Sequence, residues 1–164
     1  MKYNGKPVLT LDFDGVIHSY SSGWHGAAVI PDPIVPGAIE FIIRAMNHFQ
    51  VAIHSSRSHQ WGGRRAMKRF LKREFIKIGM PLDGYDLSYR KNPVWNYIGE
   101  YAFADPWEDE VEYAADRFIK DIKWPIFKPP SFMTIDDRAR QFTGIWPEIE
   151  IIKGFRPWNK MEDC

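Results

Sequence analysis

Apolar positions along the chain switch between two periods, and the switches mark out a strand, helix, strand, helix order. Val8 to Asp12 is a short apolar run that ends at a carboxylate, with Gly15 just beyond. That is the pattern of a buried strand stopping where polar residues begin. Val16 to Val35 has no regular period. Pro31, Pro33 and Pro36 close that stretch, and Pro36 suits the first turn of a helix through Ala38, Ile39, Ile42, Ile43 and Met46. Gln50 to His54 reads as a second strand, followed by Ser55, Ser56 and Arg57. From Gly63 to Ile78, at about 100° per residue, Met67, Phe70, Leu71 and Ile78 share one helix face. Arg64, Arg65, Lys68, Arg69, Lys72 and Arg73 spread over the other. A third helix is expected from Asp105 as N-cap, Pro106 and Glu108, with Val111, Ala114, Ala115, Phe118, Ile119 and Ile122 inward. Phe132 to Asp136 and Glu148 to Ile152 read as two further strands.

This alternation implies an α/β fold with parallel strands and right-handed crossovers, and in such sheets sites lie at the carboxyl ends of the strands. Asp12, Ser55 and Asp136 each end an expected strand, so they should meet at one edge. The 164 residues fit one domain, and 45% apolar content supplies its core. Twenty-two Lys and Arg against 21 Asp and Glu leave a net charge of +1, which excludes binding to nucleic acid by bulk charge alone. The one cysteine, Cys164, excludes an internal disulfide framework and a Cys-based zinc site. Met1 to Pro7 has no apolar h-region, and no stretch approaches the roughly 18 apolar residues of a membrane span, so the expectation is a cytoplasmic protein with no membrane partner.

Asp12 and Asp14 lie at one strand end, and Asp136 and Asp137 at another. Four clustered carboxylates repel one another unless a cation or raised pKa values offset them. Hard oxygen ligands favour Mg²⁺, which usually takes one or two carboxylates plus a phosphate oxygen, so a phosphorylated substrate is suggested. A lone Asp at a strand end is ordinarily a turn or cap residue; four of them are not so easily explained.

Val8 to Ile17, VLTLDFDGVI, resembles the first motif of the haloacid dehalogenase-like phosphatases, a hydrophobic strand followed by DxDG. The family's second motif is a Ser or Thr ending the second strand, matched by Ser55, with Ser56 as the alternative. Its third is a Lys, matched by Lys128 eight residues before Asp136, with Lys91 as the alternative. Its acidic fourth motif is similar to Thr134-Ile135-Asp136-Asp137. The resemblance runs from Val8 to about Trp146. It implies a Rossmann-like three-layer α/β/α fold without a large cap domain, because Gly15 to Pro36 is short for one. Residues 85–122 would be an insert or minor lid within a single domain covering residues 1–164.

The activity implied is Mg²⁺-dependent hydrolysis of a phosphomonoester. Asp12 would attack phosphorus to give an aspartyl-phosphate, and Asp14 would protonate the leaving oxygen and later deprotonate the attacking water. Ser55 would donate to phosphoryl oxygens, and Lys128 would offset their charge. Mg²⁺ would be held by Asp12, the backbone carbonyl of Asp14, Asp136 and Asp137. The family's dehalogenases lack the second Asp, and its P-type ATPases carry Thr there, so Asp14 points to ester hydrolysis; phosphotransfer to another acceptor stays open. A non-catalytic phosphate or nucleic-acid binding module on the same fold is the alternative. Receiver domains share these residue types but carry the acidic pair first, whereas here it comes last.

The expected substrate is a phosphorylated small molecule, such as a nucleotide, or a nucleic-acid end. Arg57, Arg64, Arg65, Lys68 and Arg69 follow directly from Ser55 and would either guide a polyanion to the site or form a solvated helix face. Arg57, nearest the strand end, and Ser56 are expected to touch substrate. Trp24 would stack on a base or pack within its own loop.

Overall fold

A computed structural model describes residues 2–3, 5–79, 93–99, 108–139, 147, 149–154, 156 and 158–160. Its strands are β1 (Lys2–Tyr3), β2 (Lys6–Leu11), β3 (Gln50–Ile53) and β4 (Met133–Ile135). The helices are α1 (Ala38–Met46), α2 (Gly63–Gly79), α3 (Pro93–Gly99), α4 (Glu108–Asp121) and α5 (Ile149–Lys153), with a 3₁₀ turn at Trp158–Lys160.

The fold is α/β, with β2 at the centre of a small parallel sheet and β3 and β4 on either side. β1 pairs antiparallel with the start of β2. Val8, Leu9, Thr10 and Leu11 are all buried, as a strand covered on both faces requires. The Thr10 hydroxyl shares a hydrogen bond with that of Ser131. Lys123 adds one residue of parallel pairing to the outer side of β3, through Ile53 N–H to Lys123 O and Lys123 N–H to Val51 O, each 2.9 Å.

Register decides where the acidic residues stand. Leu11 lies level with Ile53 on one side and Ile135 on the other, so the next residues, Asp12, His54 and Asp136, leave the sheet side by side. Two hydrogen bonds extend the ladder past the strand ends, from Asp12 N–H to Ile135 O at 2.9 Å and from His54 N–H to Leu11 O at 3.0 Å.

α1 begins after Gly37, whose φ of 79° suits a residue without Cβ, and buries Ile39, Ile42, Ile43 and Ala45. α2 buries Ala66, Met67, Phe70, Leu71, Glu74 and Phe75, the same three-and-four spacing read from the sequence. α4 buries Val111, Ala114, Ala115 and Phe118 against α2. Phe75 and Phe118 lie 4.9 Å apart between ring centroids, and Tyr97 of α3 meets both rings edge-on. Tyr97 also donates from its hydroxyl to Asp121 Oδ2 at 3.0 Å.

The described parts of the 85–122 segment therefore belong to the core: Val94, Tyr97, Ile98, Val111, Ala114, Ala115, Phe118 and Ile122 join one cluster with the strands. The strand expected over Glu148 to Ile152 is corrected to the helix Ile149–Lys153. Alternating isoleucines fit a strand period, but Ile149, Ile151 and Ile152 are all exposed and pair with no strand among the described residues. Asp105, Pro106, Lys91, Trp146 and Cys164 lie outside the described residues. No helix among the described residues is long and apolar enough to cross a membrane.

Candidate functional site

Asp12, Asp136 and Asp137 meet at the carboxyl edge of the sheet, each offering an oxygen within 4.8 Å of the others. Asp12 accepts from the Phe13 N–H at 2.8 Å, and Asp136 Oδ1 accepts from the Arg138 N–H at 2.9 Å. Asp137 differs, for both its carboxylate oxygens are buried and neither accepts a hydrogen bond among the described residues. Its nearest cation is Arg138, with Nε 3.7 Å from Oδ2. A buried carboxylate with only one distant cation beside it is under-compensated, so these oxygens are open to a cation.

The electrostatics agree. Burial, followed in order by the charges of Asp136, Asp14 and Asp137, pushes Asp12 up to about 7 against the hydrogen bond from Phe13. Burial also raises Asp137, helped by Asp136 and Asp14 and opposed by Arg138. In metal-free protein the folded state thus binds a proton on Asp12 more tightly than the unfolded chain does, and that stability is lost as pH rises from about 4 through about 7. Asp14 is lowered, so its own pH window lies below 3.8 and does not overlap. We expect the melting temperature of wild-type protein in chelator, relative to that of Asp12→Asn, to fall by about 5 °C or more between pH 5 and pH 8, as followed by circular dichroism. Parallel melting curves for the two proteins would contradict the reading.

Asp14 faces other partners. It is 8% exposed, and burial would raise its carboxyl, but hydrogen bonds from His18 and Arg57 and the charge of Arg57 hold it below the ordinary value. Arg57 Nε lies 2.8 Å from Oδ2 and 3.1 Å from Oδ1. His18 Nδ1 lies 2.9 Å from Oδ1, while its Nε2 accepts the Asp32 N–H at 3.1 Å; the ring proton therefore sits on Nδ1 and is donated to Asp14. His18 is fully buried and reaches Asp14 because the chain turns sharply through Gly15, at φ +84°, and closes with Gly15 N–H on His18 O at 2.7 Å.

Gly15 serves a second purpose. A Cβ added there would overlap the buried Asp137 carboxylate, so a side chain at this turn would force the acidic pair after β4 to shift. Gly15→Ala is expected to cost about 2 kcal/mol or more, from positive φ and the overlap together, as measured by urea denaturation. A loss under about 0.5 kcal/mol would show that the two segments separate easily.

Arg57 does not stand free to touch substrate. It is fully buried, and its Nη1 donates to three loop carbonyls, Gly26 O at 2.8 Å, Val29 O at 2.9 Å and Ala27 O at 3.0 Å. Trp24, 45% exposed, stacks on the same guanidinium with 4.6 Å from Cζ to the ring centroid, so the flat group it holds here is Arg57. Ser55 is buried at the end of β3; its N–H donates to Ser58 Oγ at 3.0 Å and its Oγ accepts the Arg57 N–H at 3.4 Å. Ser56 is exposed, and its carbonyl accepts from Gln60 Nε2 at 3.0 Å. Lys128 is exposed and stands near His54, whose pKa is lowered first by burial and then by the charges of Lys128 and His59. The structure does not bring Lys128 into an ion pair with Asp12.

Two contributors carry no clear signal in the sequence. Ser58 closes the turn around Ser55, with its N–H on Ser55 O at 2.8 Å. Trp158 Nε1 donates to Gly15 O at 2.7 Å, and Asn159 Nδ2 to Ser19 O at 2.8 Å, so the 3₁₀ turn near the C-terminus braces the loop after β2. Only proximity in the fold reveals either role. No family model, curated protein or solved structure matches the chain.

Proposed function

We propose that this chain is a Mg²⁺-dependent phosphomonoester hydrolase of the haloacid dehalogenase-like type, with the three-layer α/β/α arrangement of that family. The observation that carries the reading is the convergence of Asp12, Asp136 and Asp137 at the carboxyl edge of a parallel sheet, with both Asp137 oxygens buried and without a hydrogen bond among the described residues. This donor set is hard, anionic and under-compensated, which fits Mg²⁺. Asp12, Asp136 and Asp137 would hold the ion, which when bound neutralises carboxylate charge and polarises a phosphoryl oxygen.

The chain's own residues then divide the work. Asp12, as carboxylate, forms a bond from an Oδ atom to phosphorus while the P–O ester bond breaks, and the leaving oxygen takes a proton from solvent water. Water next attacks the phosphorus of the aspartyl-phosphate, gives up a proton, and releases phosphate and the Asp12 carboxylate. Asp14 suits the role of proton acceptor in the second step, being held ionised by Arg57 and His18 and close enough for its charge to raise Asp12. Because it is ionised at neutral pH, the expected role of Asp14 as initial proton donor is not part of this proposal. Ser55 and Lys128 remain the proposed donors to the phosphoryl oxygens.

One observation favours the alternative, a phosphate-binding module without catalysis: Asp14 is fully engaged by protein groups. The discriminating experiment is release of inorganic phosphate from a panel of nucleotides, sugar phosphates and phosphorylated oligonucleotides, with Mg²⁺ or with chelator. Release that requires Mg²⁺ supports hydrolysis. Binding of phosphate or vanadate with no turnover on any member supports the module.

A further inference from the structure

The basic face of α2 divides into two halves of different character. In the C-terminal half every cation is matched: Lys72 pairs with Glu112 at 3.0 Å and Asp116 at 2.7 Å, Arg73 with Glu74 at 2.8 Å, and Lys77 with Glu74 at 3.0 Å. In the N-terminal half Arg64, Arg65, Lys68 and Arg69 form no ion pair among the described residues. They line, with His59 and Trp61, a groove of about 790 Å³ with no carboxylate among the described residues of its wall.

The groove is aromatic as well as cationic. Trp61 is 97% exposed, an unusual state for so large an apolar ring in the absence of a partner. Ile126 lines the opposite wall, and its neighbour Phe127 is 80% exposed. Two of the cations are positioned by Trp124: Arg64 Nη1 donates to its carbonyl at 3.3 Å, and Lys68 Nζ lies 5.6 Å from its ring centroid. Ser58 also lines the groove, and it is the residue that closes the turn around Ser55. The groove thus borders the loop that follows β3, the strand paired alongside the one that leads to Asp12.

A row of unpaired cations beside exposed rings, with no acidic group between them, is the chemistry that binds single-stranded nucleic acid: cations track phosphates and rings stack on bases. We propose that this groove binds a single-stranded nucleic acid whose terminal phosphate lies at the Asp12 centre. The inference deepens the phosphohydrolase reading and rests on it for the role of the terminal phosphate, but the groove itself is tested by binding alone. A duplex is a poorer fit, because its interior bases are stacked on one another and offer no free faces to Trp61.

The test is fluorescence anisotropy of labelled 5′-phosphorylated eight-nucleotide DNA and RNA strands, in chelator and as a function of salt. Wild-type protein is expected to bind single strands more tightly than a duplex of the same sequence. Trp61→Ala should weaken binding about 10-fold, with Trp61→Phe recovering most of it. Arg65→Ala with Arg69→Ala should lower the slope of log affinity against log salt by about 1.4, from about 0.7 for each phosphate contact on a single strand. Both cations are exposed, so the fold should hold, and Mg²⁺-dependent phosphate release from a small ester should be unchanged. DNA and RNA bound alike, or one preferred, both support the groove, and a preference identifies the strand it takes. Equal binding of duplex, of heparin or of an acidic peptide overturns it, as does binding indifferent to all three substitutions. Wild-type protein that hydrolyses small esters but binds no single strand overturns this inference alone; strand binding without hydrolysis of any ester overturns the catalytic reading alone.

Discussion

Asp12→Asn is expected to lower Mg²⁺-dependent phosphate release by about a thousand-fold or more while the chain stays folded. The amide has nearly the same shape and can still accept the Phe13 N–H that holds the side chain at 2.8 Å. What it lacks is the anionic oxygen that forms the bond to phosphorus. It also removes one of three charges from a cluster in which burial and mutual repulsion already raise Asp12 to about 7. Catalysis and fold stability should therefore move in opposite directions: turnover disappears, while the metal-free variant at pH 8 melts at or above the wild-type temperature. Phosphate release at the wild-type rate would remove Asp12 from the nucleophile's role.

Arg57→Ala should produce the largest loss of stability, about 3–5 kcal/mol in urea denaturation, because it leaves the buried Asp14 carboxylate without the Nε–H that both its oxygens share. Three carbonyls of the loop at Gly26, Ala27 and Val29 lose their shared donor in the same step. Arg57→Lys should recover only part of this, since one ammonium on a flexible stem cannot reproduce a planar fork that bonds a carboxylate and a loop together. A loss below about 1 kcal/mol for Arg57→Ala would mean that water replaces the guanidinium freely and that the loop does not depend on it. Phosphate release should fall in parallel, since Asp14 and the loop over it are set by this one side chain.

These two residues also show how far a sequence can be read. Asp12 was legible because its position follows from local rules: an apolar run covered on both faces must end where a carboxylate begins, and parallel register then brings it beside Asp136. α1, α2 and α4 were legible for the same reason, since each repeats buried positions over several turns. α3 was not, because seven residues with three buried positions give little periodicity, and its stability comes from packing against α1, α2 and α4. The isoleucines of α5 fitted a strand period equally well over so short a span.

Arg57 marks the harder limit. Next to Ser55 in the chain, it read as a substrate contact. Its partners lie 28 to 31 residues away in the loop and 43 away at Asp14, in an irregular segment whose path no periodicity describes. A buried arginine is decided by which carbonyls lack donors, and that is known only once the loop is folded. Glu74 is a smaller case of the same kind, a charge on the buried face of α2 retained because Arg73 and Lys77 both reach it.

The claim on which the rest depends is that Asp12, Asp136 and Asp137 form a cation centre. Its most direct test is titration of metal-free protein with Mn²⁺, an ion that shares the preference of Mg²⁺ for oxygen ligands, with free Mn²⁺ followed by electron paramagnetic resonance. The account predicts saturable uptake of one ion per chain, competed by Mg²⁺ and lost in Asp137→Asn. Absence of saturable uptake at millimolar Mn²⁺, or uptake undiminished in Asp137→Asn, would contradict it.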